Sequence, residues 1–496
     1  MSDTPELDPE APKSPAEQAR RWQVELEAAK KAQEKWQTAG HDIVRRYLDD
    51  RSKVASVSSD TRWNVFTSNV DTLKCMLYGK PPRVQVGRRF ADADDDEARV
   101  ASEMLERILN TDIETGDGFA QALMHALEDR LLPGIGFARV RYECEMEDVA
   151  EVPAMMGPDG MEMAPVVPAT QRKCSEEVEV DYVHWDDVLW SPARTWEEVR
   201  WVAFRAFMTR EALKERFPDS PNVPLAAVTG KEGAGAKEDP RDRAEVWEIW
   251  CEEDKRVYWY VEGYGNALDE KDDPLELEGF FPCPRPMVAR STTTNFAPRA
   301  DYVLAEDLYK EIDLVSTRIT TLERAIRVVG VYDKSSAELK GMLDPRNRDN
   351  QMLPVDNWAM FAEKGGVKGA VDWLPLEQIA NALMALRDYR AELMDALFQM
   401  TGMSDIMRGQ ATSSGVTATE QGIKARFGSV RVQAMQDEFA RFASEIQQLK
   451  AEVMAKHYDA QTYITQSNIM RTQDAALAQA AVALLKDDAS MWRIEV

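Results

Sequence analysis

The clearest pattern in the chain is a pair of long apolar series with helical spacing in its second half. The first series, Leu304 to Ile326, keeps this spacing over about six turns, roughly 35 Å at 1.5 Å per residue. The second series starts near Glu377 and ends at Met400. Between them, residues 328–332, 357–361 and 371–374 are strand-like and are separated by turn residues. The pattern predicts two long helices with a small α/β module between them.

Both predicted helices carry apolar residues outside one narrow stripe, including Val303, Met384, Met394 and Phe398. A single copy of the chain would have difficulty covering more than one apolar face. Identical neighbours in a ring could cover the remaining faces. The pattern therefore favours a chain that assembles with itself.

A stretch rich in Gly, Ser and Thr follows the second helix, from Thr401 to Lys424. Such a loop between long rigid elements is usually functional or disordered. From about Thr417 another very long helical pattern runs to Tyr458, and Gly422 and Gly428 are natural kink points in its first third.

The N-terminal part of the chain mixes helical and strand-like patterns. The first fifteen or so residues are acidic and Pro-rich, so we expect a disordered tail. Residues 16–50 predict a surface helix, because the stripe of Trp22, Leu26 and Ala29 is weak. Other predicted elements are helices near 63–77, 96–108, 119–132 and 209–217 and strands near 83–86, 137–142, 178–207 and 245–261.

Three further predictions concern the less regular stretches. Residues 218–240 predict a polar linker and residues 473–485 an Ala-rich helix. Residues 491–496 alternate like a strand and stop without a turn, so we expect the natural chain to continue. The β-rich region 178–207 carries Trp185, Trp190, Trp196 and Trp201. No Lys or Arg stripe accompanies them, which favours core or subunit-interface packing over base stacking.

Composition narrows the class of protein. The 496 residues suggest two to four domains, and 61 basic against 87 acidic residues give a net charge of −26. This charge argues against a protein whose main work is gripping phosphates, although DNA could still slide past such a surface. The N-terminus is not a signal peptide, and no run approaches 18 apolar residues, so we expect a soluble intracellular chain without a membrane partner.

Candidate catalytic and metal-binding chemistry is sparse. The five Cys are scattered without a CxxC pair, and the four His form no HExxH pattern. GxxxxGK[ST] and GxSxG are absent as well. The acidic run 92–96 favours helix capping over a calcium loop, since the loop's Gly is missing, and Gly134-Ile-Gly136 favours a turn over a nucleotide fingerprint. We predict no enzyme, no cofactor and no metal site.

Three co-linear segments resemble the portal proteins of tailed double-stranded DNA bacteriophages, especially those of short-tailed phages. The resemblance covers most of the chain from about residue 63 onward, and the third segment is the most specific. The segments are Trp63-Asn64 through Pro81-Pro82; Trp185 to Ala193 with Trp201-Val and Met208 to Leu213; and Thr401 to Gly409 with Thr417 to Glu420.

The resemblance implies an α+β fold with a wing, a two-helix stem, a small α/β clip and a helical crown, assembled as a ring. The implied divisions are 1–15 disordered tail, 16–300 wing, 301–327 first stem helix, 328–376 clip, 377–402 second stem helix, 403–417 tunnel loop, 418–458 long wing helix and 459–496 crown or start of a C-terminal region.

The resemblance also implies function and partners. Family members form twelve-subunit rings at one capsid vertex, through which genomic DNA is packaged and ejected. They bind the large terminase, then head–tail adaptor or tail proteins, within a shell of major capsid and scaffold proteins. The expected locations are the virion and, during assembly, the host cytoplasm. The tunnel loop would contain Ser404, Arg408, Gly409, Gln410, Ala411, Thr412, Ser413, Ser414 and Gly415.

A few residues could touch or follow the passing DNA. Arg408 beside the loop and Lys364 and Lys368 in the clip could contact phosphates, although each alone is more often a solvated charge. The hinge candidates are Gly402, Gly422 and Gly428, because glycine changes backbone conformation with little steric penalty. The alternatives are another ring-forming head–tail adaptor or virion structural protein and, less favoured, an enzyme.

Overall fold

The fold is taken from a computed structural model. It describes residues 14–50, 63–80, 82–89, 95–115, 117–149, 155–156, 162–164, 170–220, 222–225, 227–228, 237–238, 243–326, 330–332, 359, 363, 371–373, 376–402, 418–487 and 491–496. The chain divides into two compact units. The first contains 1–48, 67–304 and 426–496, and the second contains 49–66 and 305–425.

The helices and strands are numbered in chain order. The helices are α1 Pro15–Tyr47, α2 Val65–Leu77, α3 Asp96–Thr115, α4 Asp117–Leu131, α5 Arg210–Arg216, α6 Tyr302–Ala325, α7 Leu376–Thr401, α8 Ala418–His457, α9 Ala460–Ser467 and α10 Ala478–Asp487. The strands are β1 Gln85–Arg88, β2 Ile135–Val149, β3 Met155–Met156, β4 Glu162–Ala164, β5 Thr170–Val183, β6 Val188–Trp190, β7 Trp201–Thr209, β8 Ala227–Val228, β9 Lys237–Glu238, β10 Arg243–Cys251, β11 Arg256–Val261, β12 Asp269–Asp272, β13 Met287–Val288, β14 Gly330–Tyr332, β15 Val371–Trp373 and β16 Trp492–Glu495.

The first unit is built on a five-stranded antiparallel sheet in the order β12-β11-β10-β7-β6. Helix α1 packs on it through Trp22, Leu26 and Ala29, which meet sheet residues such as Trp201 and Tyr258. Trp22 is 0% exposed, so the predicted surface helix is wrong. Its stripe is weak by composition, but the aromatic sheet covers it completely.

A second sheet, in the order β13-β2-β5, carries α4 on one side. The chain turns sharply between α4 and β2, where Gly134 has φ +100°. A Cβ at Gly136 would lie 1.9 Å from the Ala126 carbonyl oxygen, so only glycine allows this close backbone approach. The turn interpretation of this Gly pair is confirmed.

Helix α3 begins at the acidic run and packs against α9, α10 and β1. The Asp95 carboxylate accepts the backbone N–H of Ala98 at 2.9 Å, which confirms the capping interpretation there. Strand β1 pairs antiparallel with β16. The strands predicted near residues 83–86 and over 491–496 are therefore confirmed. The single helix predicted over 473–485 is wrong in its first part, because a 3-10 helix spans Gln473–Leu477 before α10.

The tryptophan-rich segment forms part of the core. Trp185, Trp190 and Trp201 are buried, and Trp196 is half-buried against Phe296. These positions confirm the packing interpretation. The predicted linker over 218–240 is wrong in part, since it contains the antiparallel pair β8–β9.

The second unit contains α7, most of α6, and the antiparallel strand pair β14–β15. Both long helices match their predicted spans to within two residues at each end. In the predicted strand 357–361 the structure describes only Ala359, which is helical, so that prediction is wrong there. The mixed composition of helices and strands confirms the α+β class.

Candidate functional site

The most distinctive feature of the second unit is the packed pair of long helices α6 and α7. Buried Val315 and Ile319 on α6 meet buried Leu383 on α7, and half-buried Leu322, Leu386 and Leu393 complete the cluster. Glu323, near the end of α6, accepts a hydrogen bond from Arg387 in the first half of α7 at 2.5 Å. A strand shortly after α6, β14, pairs with a strand shortly before α7, β15, so the end of α6 lies near the start of α7 and the two helices run antiparallel.

Residues 63–66, which include the start of α2, lie against this helix pair. Phe66 packs on Tyr309 of α6 with ring centroids 5.4 Å apart. The Arg390 guanidinium of α7 lies 4.2 Å from the centre of the Trp63 ring, a cation–π contact. Within the described residues, this segment therefore covers only a part of the surface of α6 and α7.

The strand pair β14–β15 stands between the helices in sequence, where the clip is expected. Gly330 pairs with Trp373 and Tyr332 with Val371. Strand β14 follows α6 in the sequence, and its partner β15 precedes α7. Lys364 and Lys368, the DNA-contact candidates of this segment, lie outside the described residues.

Helix α7 ends in a glycine cap. The Thr401 hydroxyl donates to the Leu397 carbonyl at 2.8 Å, and the Gly402 N–H donates to the Phe398 carbonyl at 2.8 Å. Gly402 has φ +77°, a conformation in which L side chains are strained. The sequence therefore needs glycine here to redirect the chain out of the helix.

The predicted tunnel loop follows immediately. Ser404, Arg408, Gly409, Gln410, Ala411, Thr412, Ser413, Ser414 and Gly415 all lie outside the described residues. Gly422 and Gly428 fall inside the 40-residue helix α8, whose backbone is assigned as one helix at both positions. Their hinge role stays a prediction.

The surface of α7 opposite α6 carries negative charge. Glu377, Asp388, Glu392 and Asp395 are exposed on this surface and have no ion-pair partner in the described part of the chain. Met384 lies between them and is 58% exposed. The residues recur at spacings of three, four and eleven, so they form one stripe of the helix, named here the carboxylate stripe.

Helix α6 also carries an exposed charged residue that forms no ion pair within the described part of the chain. Arg318 is exposed and has no ion-pair partner among the described residues. Leu314, one turn before it, is 44% exposed. Thr321 and Ala325 continue the same exposed stripe toward the end of the helix, named here the Arg318 stripe.

Within the first unit, the last turn of α4 holds the segments that lead toward the helix pair. Arg130 is 4% exposed and bonds Asp301, the residue before α6, at 2.7 Å, and Glu438 of α8 at 3.4 Å. Glu128 of the same turn accepts from Lys74 of α2 at 2.5 Å. The last turn of α4 therefore forms ion pairs with α2, with the residue before α6 and with α8.

The sequence did not predict these ion pairs of Glu128 and Arg130. The one feature that could have indicated them is the run of charged residues 128–130 inside an otherwise apolar helical pattern. Charged residues at such positions are rarely buried without partners. The partners lie 171 and 308 positions away from Arg130, so no local pattern identifies them.

Two other carboxyl groups of the first unit are strongly perturbed. Burial raises the pKa of Asp129 to about 8, although Tyr182 Oη and the Trp185 N–H donate to it at 2.6 and 3.2 Å. Burial would also raise the pKa of Glu176, but donors including Asp459 N–H, Lys173 Nζ and Thr462 Oγ1 lower it to about 2. Glu176 joins β5 to the start of α9.

The hydrogen bonds of both carboxyl groups connect elements of the first unit. Asp129 is neutral below about pH 8 and faces a phenol and a backbone amide, while every Glu176 oxygen is held by several donors. Among the described residues no group of three or more His, Cys, Asp or Glu side chains is arranged to hold a metal ion. In that same part of the chain, no helix combines the length and apolar character needed to cross a membrane.

Comparison of the chain with protein-family models and with curated proteins gives no match.

Proposed function

We propose that the chain is the subunit of a phage portal, a ring at one capsid vertex through which double-stranded DNA is packaged and ejected. The observation that carries the proposal is the antiparallel pair α6 and α7, which is interrupted by the strand pair β14–β15 and followed by a 40-residue helix. This is the order that the resemblance implies for stem, clip and wing helix.

The exposed apolar side chains of the helix pair support assembly. Leu314, Met384, Tyr389 and Met400 are each at least 40% exposed along two helices that bury only a narrow seam between them. An isolated two-helix hairpin with such faces gains stability when identical neighbours cover them. A closed ring provides that cover for every copy.

Charge supports a conduit that does not hold its cargo. The net charge of −26 gives the chain surfaces that repel phosphates. Tight DNA binding requires Lys and Arg that release counterions, so an acidic wall lets a duplex move without adhering. The partners in this proposal are the large terminase, head–tail adaptor or tail proteins, and the capsid and scaffold proteins around the vertex.

Mass measurement and end-on electron micrographs of the purified chain test the proposal. We expect a species of about twelve times the 56.1-kDa chain, seen end-on as a ring with a central channel. A chain that stays monomeric across the micromolar range contradicts the proposal. ATP turnover by the isolated chain would instead favour an enzyme.

A further inference from the structure

Two unsatisfied stripes of opposite character lie on different helices of the pair. The Arg318 stripe of α6 presents a lone guanidinium with apolar Leu314 and Ala325 on either side. The carboxylate stripe of α7 presents exposed Met384 followed by Asp388, Glu392 and Asp395. Neither stripe finds its complement within the described part of the chain.

The packing of the pair fixes which positions stand at equal height along it. Buried Ile319 and Leu383 share one cluster, and Glu323 and Arg387 bond through long side chains, so Ile319 lies near the height of Leu383. Because the helices are antiparallel, Arg318 lies near the height of Met384. Asp388 follows Met384 by one turn, and Glu392 and Asp395 lie farther along α7.

We propose that the Arg318 stripe of one copy docks on the carboxylate stripe of the next, with Arg318 paired to Asp388 of the neighbouring copy. The inference rests on the proposed ring. Rotation about a ring axis that follows the helix pair preserves height, so nearly equal levels of neighbouring copies meet. A second copy is the partner because every copy presents both the cationic and the acidic stripe.

The same charges also give the contact a direction. A head-to-tail contact in a ring uses two different surfaces of each subunit, and these two stripes are different surfaces. Two carboxylate stripes brought together would repel, which disfavours a symmetric dimer through α7. The charge pattern thus favours closure into a ring over pairing.

Charge reversal at one side of the contact tests the proposal. We expect Arg318→Glu to raise the concentration needed for half-assembly at least about tenfold, because a neighbouring attraction becomes repulsion. Asp388→Arg should weaken assembly similarly. The double variant Arg318→Glu, Asp388→Arg should return assembly toward the wild-type concentration, measured by mass photometry or sedimentation.

The control is Arg20→Glu, a reversal at an exposed position of α1, which should leave assembly unchanged. Circular dichroism of each variant establishes that the helices are retained. A wild-type chain that forms no ring overturns both the ring and this contact. A wild-type ring that Arg318→Glu leaves intact, or a double variant that is no better than the single ones, overturns only the contact.

Discussion

Helices α1 and α7 differ in a way that their composition does not suggest. Helix α1 carries twelve charged residues in 33, yet it buries side chains along its whole length. Helix α7 carries six charged residues in 26, yet among its described side chains only Leu383 and Leu397 are buried. Burial is set by the surface that a helix meets. Helix α1 meets an aromatic sheet, whereas the contacts of α7 within the described residues come mainly from α6.

This difference separates two sources of stability. The first unit has its core within one chain, so its free energy of unfolding should not depend on concentration. The helix pair leaves much apolar area in water, and its stability should rise when copies associate. The following changes test that contrast, from the largest expected effect to the smallest.

Trp22→Ala removes the centre of the core between α1 and the five-stranded sheet. We expect it to lower the free energy of unfolding of the first unit by about 3–5 kcal/mol, because a large cavity remains beside Trp201 and Tyr258. Denaturant unfolding followed by circular dichroism measures the change. The matched variant Tyr389→Ala, at a side chain 42% exposed on α7, should cost below about 0.5 kcal/mol in the unassembled chain. Equal costs would mean that α7 is covered within one chain.

Ile319→Asp places a carboxylate in the seam between α6 and α7, where it would pack against Val315 and Leu383. We expect a loss of about 3 kcal/mol in the helix pair, from lost apolar burial and from a charged group in an apolar site. Hydrogen exchange should speed up in α6 and α7 while α1 keeps its protection. Leu314→Asp, at an exposed position of the same helix, is the control. Equal exchange in the two variants would show that the seam is open to water.

Asp129→Asn tests the buried carboxyl group by its pH dependence. The pKa of Asp129 is raised from 3.8 to about 8 in the folded chain, so the unfolded chain loses this proton first and stability falls as pH rises through that window. Asparagine cannot ionise. We expect the variant to match the wild type near pH 4 and to be more stable at pH 8, by on the order of a few kcal/mol at most.

Thermal unfolding at several pH values gives this comparison. The control is Asp42→Asn, at an exposed side chain of α1, whose effect should vary little with pH. A difference between Asp129→Asn and wild type that is constant from pH 4 to pH 8 would mean that Asp129 is ionised throughout.

The sequence predicted elements better than their environments. Helical spacing located α2, α3, α6 and α7 because each has at least one apolar stripe of regular period. The same signal misjudged α1, since charged residues surround Trp22 and the covering sheet comes from residues far along the chain. The local pattern shows which apolar side chains a helix has on one face. Whether they are buried depends on contacts with residues far along the chain.

For the candidate site, the sequence likewise indicated apolar faces that need cover but not the ion pairs between distant segments. Apolar residues beyond one stripe of α6 and α7 indicated that more than one face needs cover, and Met384 is exposed on such a face. The partners of Arg130 were beyond prediction, because ion pairs between distant segments leave no period in the sequence. The predicted loop 403–417 and its DNA contacts stay predictions.

The last turn of α4 gives the molecule a shared anchor. The chain passes between its two units within α2, α6 and α8, and Lys74, Asp301 and Glu438 tether these segments to Glu128 and Arg130. Asp301 and Glu438 both pair with the Arg130 guanidinium. Replacement of this one side chain by a neutral residue would therefore loosen two segments of the chain at once.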